Sequence, residues 1–313
     1  MNIMFLGSDA FAVEPLETLI KAGHQPSIVV SMPDRPSGRG RRLSPTPVKA
    51  LAETYDIPVW TPTEIKSDEA FEQFKSYHVD VLICVAYGRI LPKRWLDIPW
   101  ALNIHPSLLP RWRGATPLEH TILAQDTKGG VSIIRMSPEI DAGHIVWQAV
   151  VDMQGIEETK SFGEMLFAKG SQALLDIMAR ISNQDEIPMV EQSDAEVAHA
   201  PKFKKEDGLI DWTLPADAIH AKIRAFHQWP VAYTKTADIS PIKIFSATFI
   251  KQQDSPDVLP GTICKQDKHY LWVQCGEGQL GIQEIQFPGK KRIFISQLQG
   301  YEAVIGDGKR FET

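Results

Sequence analysis

The densest run of chemically capable side chains is 103–114, Asn-Ile-His-Pro-Ser-Leu-Leu-Pro-Arg-Trp-Arg-Gly, directly after an apolar stretch that reads as a buried strand. Strand alternation sends Asn103 and His105 to one face, about 6.5–7 Å apart. An amide donor and an imidazole so placed can hold a developing oxyanion and move a proton. A second polar group, Glu139-Ile140-Asp141-Ala142-Gly143-His144, follows the apolar run at 130–136. It offers a carboxylate where a neighbouring strand should end. Taken singly, His105 reads as a satisfied strand-end histidine and Asp141 as a turn residue before Gly143. Together, Asn103, His105 and Asp141 suit direct attack by an amine on an activated carbonyl. Ser107 lacks the GxSxG setting of a hydrolase elbow, and no histidine pair shows HExxH spacing, so neither a covalent nor a metal mechanism stands out.

Residues 33–42, Pro-Asp-Arg-Pro-Ser-Gly-Arg-Gly-Arg-Arg, set Arg35, Arg39, Arg41 and Arg42 among Pro and Gly. Such a segment is either a solvated loop or an arm that orders on a phosphate backbone, and composition alone leaves both open. The opening turn Gly-Ser-Asp-Ala-Phe-Ala at 7–12 is not a GxGxxG fingerprint, which makes a dinucleotide dehydrogenase a poor reading.

The elements needed to present these residues are legible in the apolar pattern. Runs at 3–8, 27–32, 79–87 and 101–106 read as strands, with helical periodicity at 47–55 and 67–77 between them. Strands apolar on both faces and alternating with helices predict an α/β fold, a Rossmann-like doubly wound sheet. Ligands of such sheets bind beyond the carboxyl ends of the strands, where 85–92 and 103–110 fall. A helix over 161–182 closes this part, and 183–205 is polar without a period. Beyond a helical piece at 216–226, short β-rich runs at 232–236, 242–250, 261–264, 270–275 and 281–287 predict a small barrel. The expected division is a catalytic domain over 1–185, a linker over 186–205 and a C-terminal OB-like β-barrel domain over 206–313.

Composition agrees with two domains. The chain has 313 residues, above the roughly 250–300 at which a single core usually stops growing. Its 43% hydrophobic and 23% charged residues place it among globular chains. The three cysteines show no CxxC spacing, so neither a disulfide framework nor a cysteine zinc site is indicated. No basic leader and no window near the ~18 apolar residues of a spanning helix are seen, so a cytoplasmic protein without a membrane partner is expected. A net charge of −6 requires any contact with a polyanion to be local.

The strings "NIHPSLLPRWRGATP" and "DAGHI" resemble the active-site segments of the folate-dependent formyltransferases. "PDRPSGRGRRLSPTPVK", "VAYGRILP", "GLIDWTLPA", "RAFHQWP" and "PGKKR" extend the resemblance, in order, over nearly the whole chain. It points to the branch that formylates the amino group of methionyl initiator tRNA for translation initiation. The resemblance implies a Rossmann-like formyltransferase domain joined to an OB-like domain that binds tRNA, with 10-formyltetrahydrofolate as co-substrate and no metal. It makes Asn103, His105 and Asp141 the catalytic trio. It lays folate along Tyr87, Gly88, Ile90, Leu91 and Pro92 and the turn Ser107, Leu108, Leu109 and Pro110. It gives the tRNA to Arg35, Arg39, Arg41 and Arg42, with Arg39 at the wedge into the acceptor stem; the basic residues Lys290, Lys291 and Arg292, with Lys309 and Arg310, are expected to form a second patch for it on one face of the C-terminal domain. A monomer is expected.

Two departures stand out. The opening "GSDAFA" replaces the family's more usual Gly-Thr-Pro-Asp-Phe-Ala, and residues 206–313 hold 12 Lys and Arg against 13 Asp and Glu, near neutral for a tRNA-binding barrel. The competing readings are a UDP-amino-sugar formyltransferase sharing the trio, a glycinamide ribonucleotide formyltransferase, which typically lacks such a C-terminal extension, and a catalytically silent tRNA-binding module.

Overall fold

The structure is a computed structural model describing residues 1–37, 42–251, 258–298, 300–301 and 304–312, with Ser37 and Arg42 as backbone only. The chain divides into two compact units, one of Met1–Pro117, Lys128–Asp152 and Gly163–Pro201, the other of Leu118–Thr127, Met153–Phe162 and Lys202–Thr313.

The first unit is built on seven strands: β1 Ile3–Gly7, β2 Ile28–Val30, β3 Val59–Trp60, β4 Val81–Val85, β5 Trp100–His105, β6 Lys128–Arg135 and β7 Ile145–Asp152. Their order across the sheet is β7-β6-β5-β4-β1-β2-β3. The first five run parallel; β6 is antiparallel to β5, and β7 to β6. The order reverses between β1 and β4, the switch point at which an open α/β sheet leaves a crevice beyond its strand ends. Strands β1 and β4 are buried at every position, as covering on both faces demands.

Helices α1 Val13–Lys21, α2 Pro47–Thr54 and α3 Asp68–Ser76 form where the apolar period is helical, and their starts are written in the sequence. Thr46 caps α2 by accepting from the Lys49 N–H, with Pro47 in the first turn. Ser67 caps α3 likewise through Ala70, with Asp68 and Glu69 in the first turn and Lys75 in the last, as the helix dipole favours. Helix α4 spans Pro117–Leu123, and the long helix α5 spans Thr159–Asn183. A β carbon on Gly170 of α5 would stand 2.7 Å from Ile104 Cγ2, so the helix lies close against the back of β5. Ile104 faces α5, which leaves the opposite side of β5 to Asn103 and His105.

Strand β7 was not anticipated. It is a sheet-edge strand whose side chains alternate only partly between half-buried and exposed, which gives a weak sequence signal. On either side of residues 38–41, Arg35–Ser37 pairs antiparallel with Arg42–Ser44, and the Asp34–Lys49 ion pair at 2.8 Å tethers the base of that pair.

The second unit carries α6 Ala216–Ala225 and strands β8 Tyr233–Thr234, β9 Ile242–Ile250, β10 Ile263–Gln266, β11 Leu271–Gln274, β12 Gln279–Gln286 and β13 Arg292–Phe294. The antiparallel order is β8-β9-β12-β11-β10, with β13 also pairing with β12. Bridges Thr262↔Arg310 and Lys235↔Glu312 join the final segment to the β10 and β8 edges, which closes the sheet into a barrel. The interior is filled by Ile210, Trp212, Ile219, Ile244, Val273, Leu280 and their neighbours, all within a few percent of full burial. Strand β13 was hidden in the sequence because the basic "PGKKR" run reads as turn and patch.

Candidate active site

Asn103 and His105 sit at the carboxyl end of β5, between β4 and β6, beside Cys84 and opposite Ile134 and Ser132 respectively. Asp141 comes from the loop between β6 and β7 in a left-handed conformation, φ 52°, which Asp tolerates better than most residues. The Asn103 amide donates to Asp141 Oδ1 at 3.4 Å, and His105 Nδ1 lies 3.7 Å from Asp141 Oδ2. His105 Nε2 is 3.0 Å from the Trp112 carbonyl. A carbonyl only accepts, so Nε2 carries a proton, and the second proton of an imidazolium would face the carboxylate. The sheet and one loop thus bring Asp141 to Asn103, 38 positions away in sequence, and to His105.

The carboxylate is held from outside the trio as well. Gly114 donates its backbone N–H to Asp141 Oδ2 at 2.9 Å. Gln192 donates to the carbonyls of Asp141 and Gly143 at 2.8 and 2.7 Å and accepts from Arg113 Nε at 2.9 Å. Segment 199–200 pairs in parallel with Arg113–Gly114, which ties the chain leaving α5 to the loop beyond β5. Sequence reading passed over Gln192, since 183–205 shows no period; its signal is only visible as a buried amide once the loops are folded.

The Ser107–Pro110 turn is fastened from the sheet. Ser107 donates to the Arg111 carbonyl at 2.7 Å, and Ser132 Oγ donates to the Ser107 carbonyl at 2.7 Å while accepting from the Leu109 N–H at 3.2 Å. Gln148 adds a donor to the Leu109 carbonyl at 3.0 Å. Ser107, Leu109 and Pro110 are buried, and Leu108 lies half-buried over Gly130. This places the turn as a rigid wall beside His105.

The loop leaving β4 presents Gly88 and Ile90 to solvent, with Pro92 half-buried and Tyr87 and Leu91 buried. Ser8 donates to the Tyr87 carbonyl at 3.1 Å and accepts from the Met32 N–H at 3.1 Å, which draws together the ends of β1, β2 and β4. Ser8 is one of the residues by which the opening turn departs from the usual pattern, and it finds a structural use here. The Tyr87 hydroxyl is buried with no hydrogen-bond partner, and burial, opposed by Arg89, pushes it up to about 12. Burial, reinforced by Asp141, pushes the Cys84 thiol up to about 12 too, so this cysteine is neutral and not a nucleophile.

Residues 1–178 match the formyl transferase family and residues 202–301 the formyl transferase C-terminal domain. Over its full length the chain is 38% identical to a methionyl-tRNA formyltransferase of Methylococcus capsulatus, and all of that protein is covered. It is 39% identical to that of Marinobacter nauticus over 95% of each chain. The chain belongs to the methionyl-tRNA formyltransferase family. The fold has more distant likenesses. HypX from Aquifex aeolicus in complex with tetrahydrofolic acid matches 99% of this chain and 48% of its own at a TM-score of 0.64 and 17% identity. An N-formyltransferase from Helicobacter canadensis, in complex with folinic acid and dTDP-3-aminofucose, matches 90% of this chain and 99% of its own at 0.66 and 17%. The sugar formyltransferases are therefore likenesses of fold, while the methionyl-tRNA formyltransferases share sequence throughout.

In this formyltransferase the tRNA candidates are spread over both units. Arg35 is exposed at the start of its short strand; Arg39, Arg41 and the Arg42 side chain lie outside the described residues. Lys290 and Lys291 are exposed on the turn between β12 and β13, and the Arg292 guanidinium sits 3.4 Å over the Phe245 ring. Gln286 is the cross-strand neighbour of both Lys243 and Arg292, so two cations flank a neutral amide across adjacent strands of the barrel. Among the described residues no cluster of three or more His, Cys, Asp or Glu comes together that could hold a metal, and no helix is long and apolar enough to cross a membrane.

Proposed function

We propose that this formyltransferase takes its formyl group from 10-formyltetrahydrofolate and delivers it to the α-amino group of methionyl initiator tRNA, with Asn103, His105 and Asp141 as its catalytic residues. The observation that carries this reading is the convergence of those three side chains on one side of the β5 end, with a neutral thiol as their neighbour.

The free amine of the methionyl group attacks the formyl carbon. A C–N bond forms, and the carbonyl oxygen gains charge. The Asn103 amide donates to that oxyanion, and the positive charge of the protonated His105 ring stabilises it where charge develops. Asp141 orients His105 and relays the proton lost by the amine toward the departing folate nitrogen, so that the tetrahedral intermediate collapses with release of tetrahydrofolate. The folate lies along Tyr87, Gly88, Ile90, Leu91 and Pro92 and against the Ser107–Leu108–Leu109–Pro110 turn. Ile90, 60% exposed, supplies apolar surface from one side, and Ile140, 51% exposed and next to Asp141, from the other.

Residues 1–185 serve as the catalytic domain, 186–205 as the connection and 206–313 as the tRNA-binding domain. Arg35, Arg39, Arg41 and Arg42 meet the acceptor stem, and Lys290, Lys291 and Arg292 meet the phosphate backbone elsewhere. A loop that enters a weak terminal base pair selects by deformability more than by reading base edges. The protein works as a cytoplasmic monomer.

The deciding experiment is formyl transfer from 10-formyltetrahydrofolate to charged initiator and elongator methionyl-tRNA, with a UDP-amino sugar as competing acceptor. Selective formylation of the initiator supports the reading; transfer only to the sugar overturns the acceptor and keeps the catalytic assignment.

A further inference from the structure

We infer that Gln192 is a positioning residue for Asp141, which makes the segment leaving α5 part of the catalytic apparatus; this rests on the reading of Asp141 as catalytic. Gln192 is 8% exposed, and its carboxamide is engaged at both ends. Nε2 donates to the Asp141 and Gly143 carbonyls at 2.8 and 2.7 Å, and Oε1 accepts from Arg113 Nε at 2.9 Å. Arg113, 5% exposed, precedes Gly114, whose N–H meets Asp141 Oδ2 at 2.9 Å. Asp141 is thereby gripped twice, at its backbone through Gln192 and at its carboxylate through the residue next to Arg113.

The grip has a physical purpose. Asp141 has φ 52°, an uncommon region for a non-glycine residue, though one that Asp enters more readily than most. Two donated hydrogen bonds span that residue and reach Gly143, so they fix the turn that aims the carboxylate at His105. The segment itself is pinned on either side of Gln192, by the bridge Ile145↔Val190 and by the pairing of His199 and Ala200 with Arg113 and Gly114. A displacement of about 1 Å in such a group costs on the order of 100-fold in rate without changing what binds.

Two variants separate donation from packing. Gln192→Glu keeps the shape and the Arg113 contact but cannot donate to two carbonyls, and Gln192→Met keeps the volume and removes every hydrogen bond. Each is made in the wild-type and Asp141→Asn backgrounds. Steady-state and single-turnover formyl transfer from 10-formyltetrahydrofolate to initiator methionyl-tRNA are measured across pH, with thermal melting alongside. The expected result is a kcat about 10- to 100-fold lower with both KM values little changed, a shifted pH profile of kcat, and no further loss when either variant is added to Asp141→Asn. Wild-type kcat and pH profile in a folded Gln192→Glu protein would overturn the proposal, as would an equal loss in both backgrounds, which marks a general structural role. If Asp141→Asn itself turned over at the wild-type rate, the catalytic reading of Asp141 would fail first, an outcome distinguishable from failure of the Gln192 role alone.

Discussion

Gly114 donates its backbone N–H to Asp141 Oδ2 at 2.9 Å from a φ of 129°, with the Ala200 carbonyl oxygen 2.5 Å from where a β carbon would stand. The same carboxylate oxygen faces His105 Nδ1 at 3.7 Å, so the atom that the backbone amide holds is also the one nearest the imidazole. Only glycine permits both the conformation and the approach of segment 199–200. Gly114→Ala is expected to shift the loop, cost about 1–3 kcal/mol in stability and lower kcat by at least about 10-fold. A variant that melts and turns over like the wild type would show the contact to be dispensable.

Removing the amide donor tests the oxyanion role. Asn103→Ala is expected to lower kcat by about 100- to 1000-fold, the usual cost of one oxyanion donor, with little effect on KM for tRNA. A loss confined to KM would instead assign Asn103 to binding.

The exposed lysines on the β12–β13 turn carry a salt-dependent prediction. Replacing Lys290 and Lys291 together by Glu is expected to raise KM for tRNA and leave KM for folate unchanged. The slope of log affinity against log salt should flatten by about one unit for each phosphate that the protein no longer neutralises. An unchanged slope would remove this turn from the tRNA interface.

His220 on α6 makes stability depend on pH. Burial, with Arg224 beside it, pulls this histidine down from 6.5 to about 4, against the opposing effects of the Ala247 backbone and Asp217. Between those two values the unfolded chain holds a proton on the ring and the native chain does not, so unfolding gains as pH falls. Allowing for partial exposure, the loss from pH 7 to 4.5 should be on the order of 2 kcal/mol larger for wild type than for His220→Gln in urea denaturation. Equal pH dependence in the two proteins would show that His220 titrates normally in the native state.

Read by itself, the sequence determined the alternation of strands and helices and the two-part organisation, because each rests on local physics. Apolar runs buried on both faces mark β2 and β4; Thr46 and Ser67 announce helix starts; and strand alternation alone puts Asn103 and His105 on one side. Only the tertiary structure decided what surrounds them. The closure of the barrel by the last residues, the edge strand β7, and the grip of Gln192 and Gly114 on Asp141 each depend on partners far away in sequence, 51 residues in the case of Gln192 and Asp141. A buried carboxamide in an aperiodic polar stretch has no local pattern to betray it; its role exists only once two loops meet and leave carbonyls that must be satisfied.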